Sequence, residues 1–225
     1  MKQTSVKHTI VAVDVIIFTI IDNVLLARTM KVHRPPYYDN LYGFPGGLIG
    51  VEETAEGAAS RIIKEKANLR ERSVYLEQLQ TFSDPGRDKR GKVVSVAYLA
   101  LIPWEELDGA ERESHDELCW MPVSKLKHLA YDHDHMLKVA LERLASRVTY
   151  TTLIAKIMPE EFTLTELEKT FELLADKKLD KRNFRKKMEK LSILKDLKKK
   201  TSGVKHRPAS LYSFKSEKVT YLEVL

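Results

Sequence analysis

The sequence predicts an α+β protein in two parts, residues 1–148 and 149–225. Three observations lead there. Runs of strand length, rich in β-branched residues, recur through the first part around one well-marked helix. Near Thr149 the pattern changes to two amphipathic helices and a hairpin within about 65 residues, the element order of a winged helix-turn-helix. The charge is also unevenly divided. Residues 148–225 hold 18 Lys or Arg against 11 Asp or Glu, a net of +7, while the remainder holds 20 against 21, a net of −1.

The first part opens with HTIVAVDVIIFTI and NVLLARTM, which meet at Asp22-Asn23, a dipeptide suited to a hairpin turn. Lys2 and Lys7 ahead of the apolar run imitate a secretion signal, but Asp14 breaks the run and no small-residue cleavage site follows. A buried strand is expected. No stretch has the roughly 18 uninterrupted apolar residues of a membrane span. Hydrophobic residues make up 43% and charged residues 31%, enough for a proper core in a globular protein. The single cysteine, Cys119, excludes an intrachain disulfide and suits a reducing cytosol, so a cytoplasmic location is expected.

Next comes the loop KVHRPPYYDN, whose PPYY is a common pattern read here as shaping a loop over a pocket. A glycine turn follows, then a helix from about Thr54 to Ala67, since Gly46 and Gly47 after Pro45 let the backbone turn sharply. Strands near 74–82 and 93–102 flank SDPGRDKRGK, where Asp84, Arg87, Asp88 and Arg90 are expected to be largely solvated. ELCWMPV is a short strand. HDHMLKVALERLASRV is an amphipathic helix with Asp132 as its N-cap. Asp132 and His135 could share a metal ion, but no third ligand is near in sequence, and the cap is preferred.

In the second part, EFTLTELEKTFELLAD begins with the cap-like Thr163 and Thr165. LDKRNFRKKMEKL begins at Asp180 and keeps Leu179, Phe184, Met188 and Leu191 on one apolar stripe. ILKDLKKKT and SLYSF form the hairpin, around Ser202-Gly203 and VKHRPA. Residues 177–207 hold 14 Lys or Arg against 3 Asp or Glu, net +11. A solvated face would explain one such run alone. Three basic elements in this order point instead to double-stranded DNA. Arg182 and Asn183 are the candidates for base edges, and Lys181, Arg185 and Lys186 share the same exposed face. Lys205, His206 and Arg207 would lie at the wing tip, near a minor groove. Thr163 and Thr165 could cap the first helix and touch phosphates. RNA is the weaker alternative, because no aromatic stacking platform is evident.

Residues 41–69, LYGFPGGLIGVEETAEGAASRIIKEKANL, resemble the Nudix hydrolase motif G-x5-E-x7-R-E-U-x-E-E-x-G-U, in which U is a bulky aliphatic residue. Gly47, Glu53, Arg61, Ile63, Glu65 and Leu69 match in register. A pairing of Arg61 with Glu53 is expected, tying loop to helix. The departures fall on the metal-binding helix positions, which here are Ile62, Glu65 and Lys66, while Asn68 replaces the late glycine. Mg²⁺ wants oxygen ligands. Isoleucine offers none, and a lysine there repels a cation by on the order of 1–4 kcal/mol. Hydrolysis is therefore expected to be lost, with no catalytic residue, resident metal or cofactor, although Glu52 and Glu56 leave a relocated metal site open.

FSDPGRDKRGKVVSVAYLAL is similar to ADP-ribose-type Nudix domains and to Nudix-related regulators. LAYDHDHMLKVALERL, LDKRNFRKKMEKL and KHRPASLYSF resemble the NrtR group of those regulators, so that the resemblance covers nearly the whole chain. It implies a Nudix-like α/β/α sandwich that senses an effector, followed by a winged helix-turn-helix. The protein would be a transcriptional repressor acting as a homodimer on a palindromic operator. The likeness is greatest to an L-arabinose-responsive branch in Bacteroidetes, and a neutral sugar needs no phosphate-bound metal. ADP-ribose is the alternative effector, with Lys66, Lys31 or Arg28 as cations for its pyrophosphate. Position in the implied fold picks Asp14, Lys31, Tyr37, Phe44, Glu65, Lys66 and Asp84 for the pocket. Asp14, inside an apolar strand, is either a satisfied structural residue or a ligand contact. The rival reading is an active Nudix pyrophosphatase with an accessory basic domain.

Overall fold

The computed structural model describes residues 9–70, 74–201 and 208–222. Strand β1 (Ile10–Ile21) turns into β2 (Val24–Arg34) through Asp22 and Asn23, both left-handed, at φ 50° and 60°. Short polar residues take that conformation at least strain, and it matches the twist of a tight hairpin. Ile21 pairs with Val24 and Phe18 with Ala27. The apolar N-terminal run is thus a central strand.

Around β1 and β2 lie β3 (Tyr38–Gly43), β4 (Gly46–Leu48), β5 (Tyr75–Phe82), β6 (Val93–Leu101) and β7 (Leu118–Pro122). The main path of the sheet is β3-β2-β1-β6-β5, with β4 also paired to β1 and β7 to β2. Among the described residues only the β1–β6 pairing of this sheet is parallel. Helices α1 (Ala55–Glu65) and α3 (His133–Tyr150) cover opposite faces of this sheet, and the short α2 (Gly109–Arg112) precedes β7.

The side-chain period of two decides which face each β1 residue enters. Val13, Val15 and Ile17 pack with Ala58, Ala59, Ile62 and Ile63 of α1. Ile16 and Phe18 pack with Met136, Leu137, Ala140 and Leu144 of α3. Both faces are buried, so the strand reads as a nearly continuous apolar run. This is the expected α/β/α sandwich.

Thr54 caps α1, its hydroxyl accepting from Gly57 N at 3.0 Å. The helix ends as Lys66 and Ala67 N–H groups both bond the Ile62 carbonyl, and Asn68 takes φ 53°. Asn68 therefore keeps the left-handed backbone for which a glycine is the usual choice.

The second domain holds α4 (Leu164–Ala175), α5 (Lys181–Leu191) and the three-stranded antiparallel sheet β8-β10-β9, made of Phe162–Thr163, Ser210–Phe214 and Leu194–Lys200. Thr163 and Glu166 form a reciprocal capping box at α4, and Asp180 caps α5 through Asn183 N at 2.8 Å. Helix α3 passes the change of composition at Thr149, and its Leu144 and Val148 share one core with Leu167, Phe171 and Phe184. Among the described residues no helix is long and apolar enough to cross a membrane.

Candidate functional site

A cavity of about 490 Å³ opens on the α3 side of the sheet. Its floor comes from β1, where Ala12 and Asp14 share the face of Ile16, and from the Gly46-Gly47 turn of β4. Asp14 stands opposite Gly46, where any Cβ would come within 1.9 Å of Asp14 Oδ1. Glycine at 46 is what lets the carboxylate sit there.

Asp14 is 8% exposed. Its Oδ2 accepts from Ser95 Oγ at 2.6 Å and Arg87 Nη2 at 3.3 Å, while Oδ1 lies 3.6 Å from His133 Nε2. Burial pushes this carboxyl up, yet His133, the Ser95 hydroxyl and the Arg87 guanidinium together hold it below the usual carboxylate range. Asp14 is therefore satisfied structurally, and it also lines the cavity.

His133 is 1% exposed. The Phe44 N–H donates to its Nδ1 at 2.9 Å, which leaves the ring proton on Nε2, facing Asp14. Gly43 makes room for the ring, since a Cβ there would meet His133 Nδ1 at 3.0 Å. Phe44 stacks on His133 with centroids 5.3 Å apart, and Tyr131 lies 5.2 Å from His133 on centroids, so the three rings form an aromatic wall.

The loop SDPGRDKRGK departs from the solvated state expected of it. Arg87 and Asp88 are buried. Arg87 spans both carboxylate oxygens of Asp132, at 2.8 and 3.1 Å, besides reaching Asp14. Asp132 does sit at the N-cap position of α3, but it makes no side-chain cap bond, because its carboxylate is committed to Arg87. Arg90 grips Asp88 at 2.6 Å and lies 5.1 Å over the Tyr131 ring. These residues sit beside β1 because β6 pairs with it in parallel, which carries the β5–β6 loop to the cavity end of the sheet.

Of the seven expected pocket residues, Asp14, Lys31, Phe44 and Lys66 line the cavity. Tyr37 does not: it is 49% exposed in the β2–β3 turn. Glu65 does not either, being exposed and turned to Arg61 at 3.8 Å. Asp84 is exposed, and its carbonyl accepts the Arg87 N–H in a turn. Arg28, a candidate for pyrophosphate, is 1% exposed beneath Trp120, donating to the Ala67 and Glu113 carbonyls, and so cannot meet a ligand. Sequence reasoning missed His133, Arg87, Asp88, Arg90, Tyr131 and Arg34 as lining residues. The available signal was Asp14 itself, since a carboxylate inside an apolar strand requires a buried cation from elsewhere in the chain.

The Nudix-like turn is held as expected. Arg61 binds both oxygens of Glu53, at 2.7 and 2.8 Å, and Glu53 accepts from Gly50 N. The Arg61 contact and that N–H hold the Glu53 carboxyl down to about 2. The residues at the metal positions do not fit a divalent cation. Ile62 is fully buried in the core, and Lys66 Nζ donates to the Gly46 carbonyl. Glu52 and Glu56 are exposed, and among the described residues no three His, Cys, Asp or Glu side chains are grouped to hold a metal ion.

In the second domain α5 buries Phe184 and Met188, the former against Phe171 of α4, with centroids 5.4 Å apart. Lys181, Arg182, Asn183, Arg185 and Lys186 are all exposed. One helix thus carries an apolar stripe on the core and a cationic face on solvent, as a helix entering a DNA groove requires. Thr165 is partly exposed, but Thr163 is 6% exposed with its hydroxyl spent on Glu166 N, so it is a cap and not a phosphate contact. Lys205, His206 and Arg207 lie outside the described residues.

Comparison with known proteins agrees with this division. Residues 8–141 match the NUDIX domain, and residues 154–214 match the NrtR DNA-binding winged helix domain. The chain is 32% identical over 217 residues, covering 95% of itself and 85% of the relative, to an ADPR responsive transcriptional repressor NtrR from Acinetobacter baylyi. It is similar to NrtR of Shewanella oneidensis solved with a 27mer DNA, with TM-score 0.77 and 31% identity, covering 91% of this chain and 93% of that one. It is also similar to the NUDIX domain of that protein solved with ADP ribose, with TM-score 0.53 and 30% identity over 64% of this chain and 94% of that one. With a Nudix-like sandwich, a winged helix and both likenesses running through the length of the chain, this protein belongs to the NrtR-like family of Nudix/winged-helix transcriptional regulators.

Proposed function

We propose that this protein is a transcriptional repressor that binds its operator through α5 and the wing, and whose Nudix domain senses an ADP-ribose-like effector without hydrolysing it. The observation that carries the effector assignment is the charge of the cavity. Lys31, Arg34 and Lys66 line it, and among the described residues none of the three has a carboxylate within ion-pair distance. Arg87 and Arg90 line it too, matched by Asp14, Asp132 and Asp88. A diphosphate ester is dianionic and would neutralise two of the three unmatched charges, while the partly exposed Tyr131 ring at the cavity offers a planar base an aromatic contact. A volume of about 490 Å³ is in the ordinary range for such ligands. L-Arabinose, favoured on sequence, is neutral and would leave the three cations unmatched. The named effector of the Acinetobacter relative and the ligand of the Shewanella domain support the same reading.

Helix α3 offers the route from effector to DNA. Its first residue, His133, lines the cavity, Asp132 just before it holds the cavity residue Arg87, and its last turns pack on α4. At its end Tyr150 O accepts Leu222 N at 2.7 Å, and Arg147 reaches Glu77 and Tyr221, so the segment after the wing is tied to the same helix. An effector that binds one arrangement of these contacts better than another changes operator affinity by that difference. A homodimer on a palindromic operator fits the proposal.

The test is fluorescence anisotropy of labelled upstream DNA, with ADP-ribose or L-arabinose added, beside a Mg²⁺-dependent hydrolysis assay. The expected outcome is specific binding that ADP-ribose changes and arabinose does not, with no turnover. Fast turnover without DNA binding would establish the pyrophosphatase reading instead.

A further inference from the structure

The three helix positions at which a Nudix hydrolase carries metal-binding carboxylates have separate fates here. Ile62 is wholly buried against β1, so its position no longer faces the cavity. Glu65 is exposed and turned to Arg61. Lys66 alone remains at the cavity, beside Gly46 and Gly47. Its Nζ donates to the Gly46 carbonyl, and it sits so close over the turn that a Cβ at Gly47 would lie 3.2 Å from it. The ammonium is therefore fixed in position by a backbone oxygen, at the place where the motif would gather carboxylates around a cation.

We propose that Lys66 takes over the charge role of a divalent metal: its tethered ammonium binds the diphosphate of the effector, and effector recognition needs no metal ion. This rests on the ADP-ribose-like reading of the cavity. An ammonium has three donors. The Gly46 carbonyl uses one and leaves the others for phosphate oxygens. Lys31 and Arg34, both from β2 and both lining the same cavity, add charge from a second element. A side chain at 47 would press on the ammonium at 3.2 Å, a contact the flexible lysine could relieve only by shifting from its place over the turn.

The experiment is calorimetric titration of the full chain with ADP-ribose, and separately with inorganic pyrophosphate, in EDTA and in Mg²⁺. ADP-ribose is expected to bind equally in both, within about twofold. Lys66→Gln should lose tenfold or more in EDTA, and Lys66→Arg should recover most of that loss. Circular dichroism and thermal melts show whether the variants are folded. Binding that vanishes in EDTA, or a folded Lys66→Gln variant that binds as wild type, overturns the proposal. Pyrophosphate separates the two readings. If it binds in EDTA through Lys66 while ADP-ribose does not bind at all, the effector assignment falls and the role of Lys66 stands. If neither anion binds without metal, the role of Lys66 falls.

Discussion

Replacing Arg87 with methionine removes a cation that bridges the buried carboxylate of Asp14 and the partly buried carboxylate of Asp132. The Arg87 side chain is 3% exposed, and those of Asp14 and Asp132 are 11% and 13% exposed. Arg87 lies 2.8 and 3.1 Å from the Asp132 oxygens and 3.3 Å from Asp14. Breaking a buried pair by deleting one partner costs about 3–5 kcal/mol, because the remaining charge is left desolvated. Methionine fills much of the same space, so the packing penalty is small. The residual exposure of Asp14 and Asp132 gives both some access to water, which places the expected destabilisation near the lower end, at about 3 kcal/mol. With an m-value of about 2 kcal/mol/M in urea, the midpoint falls by about 1.5 M. Both tryptophans, Trp104 and Trp120, belong to the Nudix domain core, so their fluorescence follows that domain specifically. The pH dependence has a definite sign. The Asp14 carboxyl is held below its usual 3.8 in the folded protein, so its stabilisation is complete above that value and lost as pH falls through the folded value. The gap between wild type and Arg87→Met therefore narrows on acidification, and adding Asp132→Asn to the variant recovers about 1–2 kcal/mol of it at pH 7. A destabilisation below about 1 kcal/mol at neutral pH, unchanged in acid, would show that the network does not stabilise the domain.

Three further outcomes are expected. Arg182→Ala and Arg185→Ala each weaken operator binding, and removing a cation that neutralises a phosphate makes the slope of log affinity against log salt shallower by about 1; two variants that bind as wild type would remove α5 from the interface. Glu111→Gln destabilises the Nudix domain by up to about 3 kcal/mol at pH 7: burial raises this carboxyl, but Arg70 and the backbone N–H groups of Asp108 and Arg70 bring it from 4.5 down to about 2. That stabilisation is whole above 4.5 and disappears as pH falls toward 2, so wild type and variant should converge in acid melts. Asn68→Gly should be near neutral in thermal melts, whereas Asn68→Val should cost about 1–2 kcal/mol because its φ of 53° excludes a β-branched side chain.

Much of this protein was legible as pattern. Asp22-Asn23 specified a hairpin, Thr54 and Asp180 started helices, and Phe184 with Met188 marked the buried stripe of α5, because each signal concerns neighbours within a few residues along the chain. Arg61 and Glu53 were paired correctly for the same reason, lying 8 residues apart with Glu53 in the turn just ahead of α1. The motif itself indicated Ile62 and Lys66 as departures. The cavity was harder. Tyr37, Asp84 and Arg28 are the residue types that bind ligands, but strand phase and turn geometry send the first two to solvent and the third beneath Trp120.

The local periodicities and caps, the division of charge between the two halves and the altered carboxylate positions follow from the order of residues alone, since short-range sterics and side-chain chemistry fix them. The company that Asp14 keeps does not. Ser95, Arg87 and His133 lie 73 to 119 positions away along the chain, and they converge on it because β6 runs parallel to β1 and α3 crosses the same face of the sheet. Burying a carboxylate demands a matching cation and donors; which residues meet that demand is a matter of packing in three dimensions.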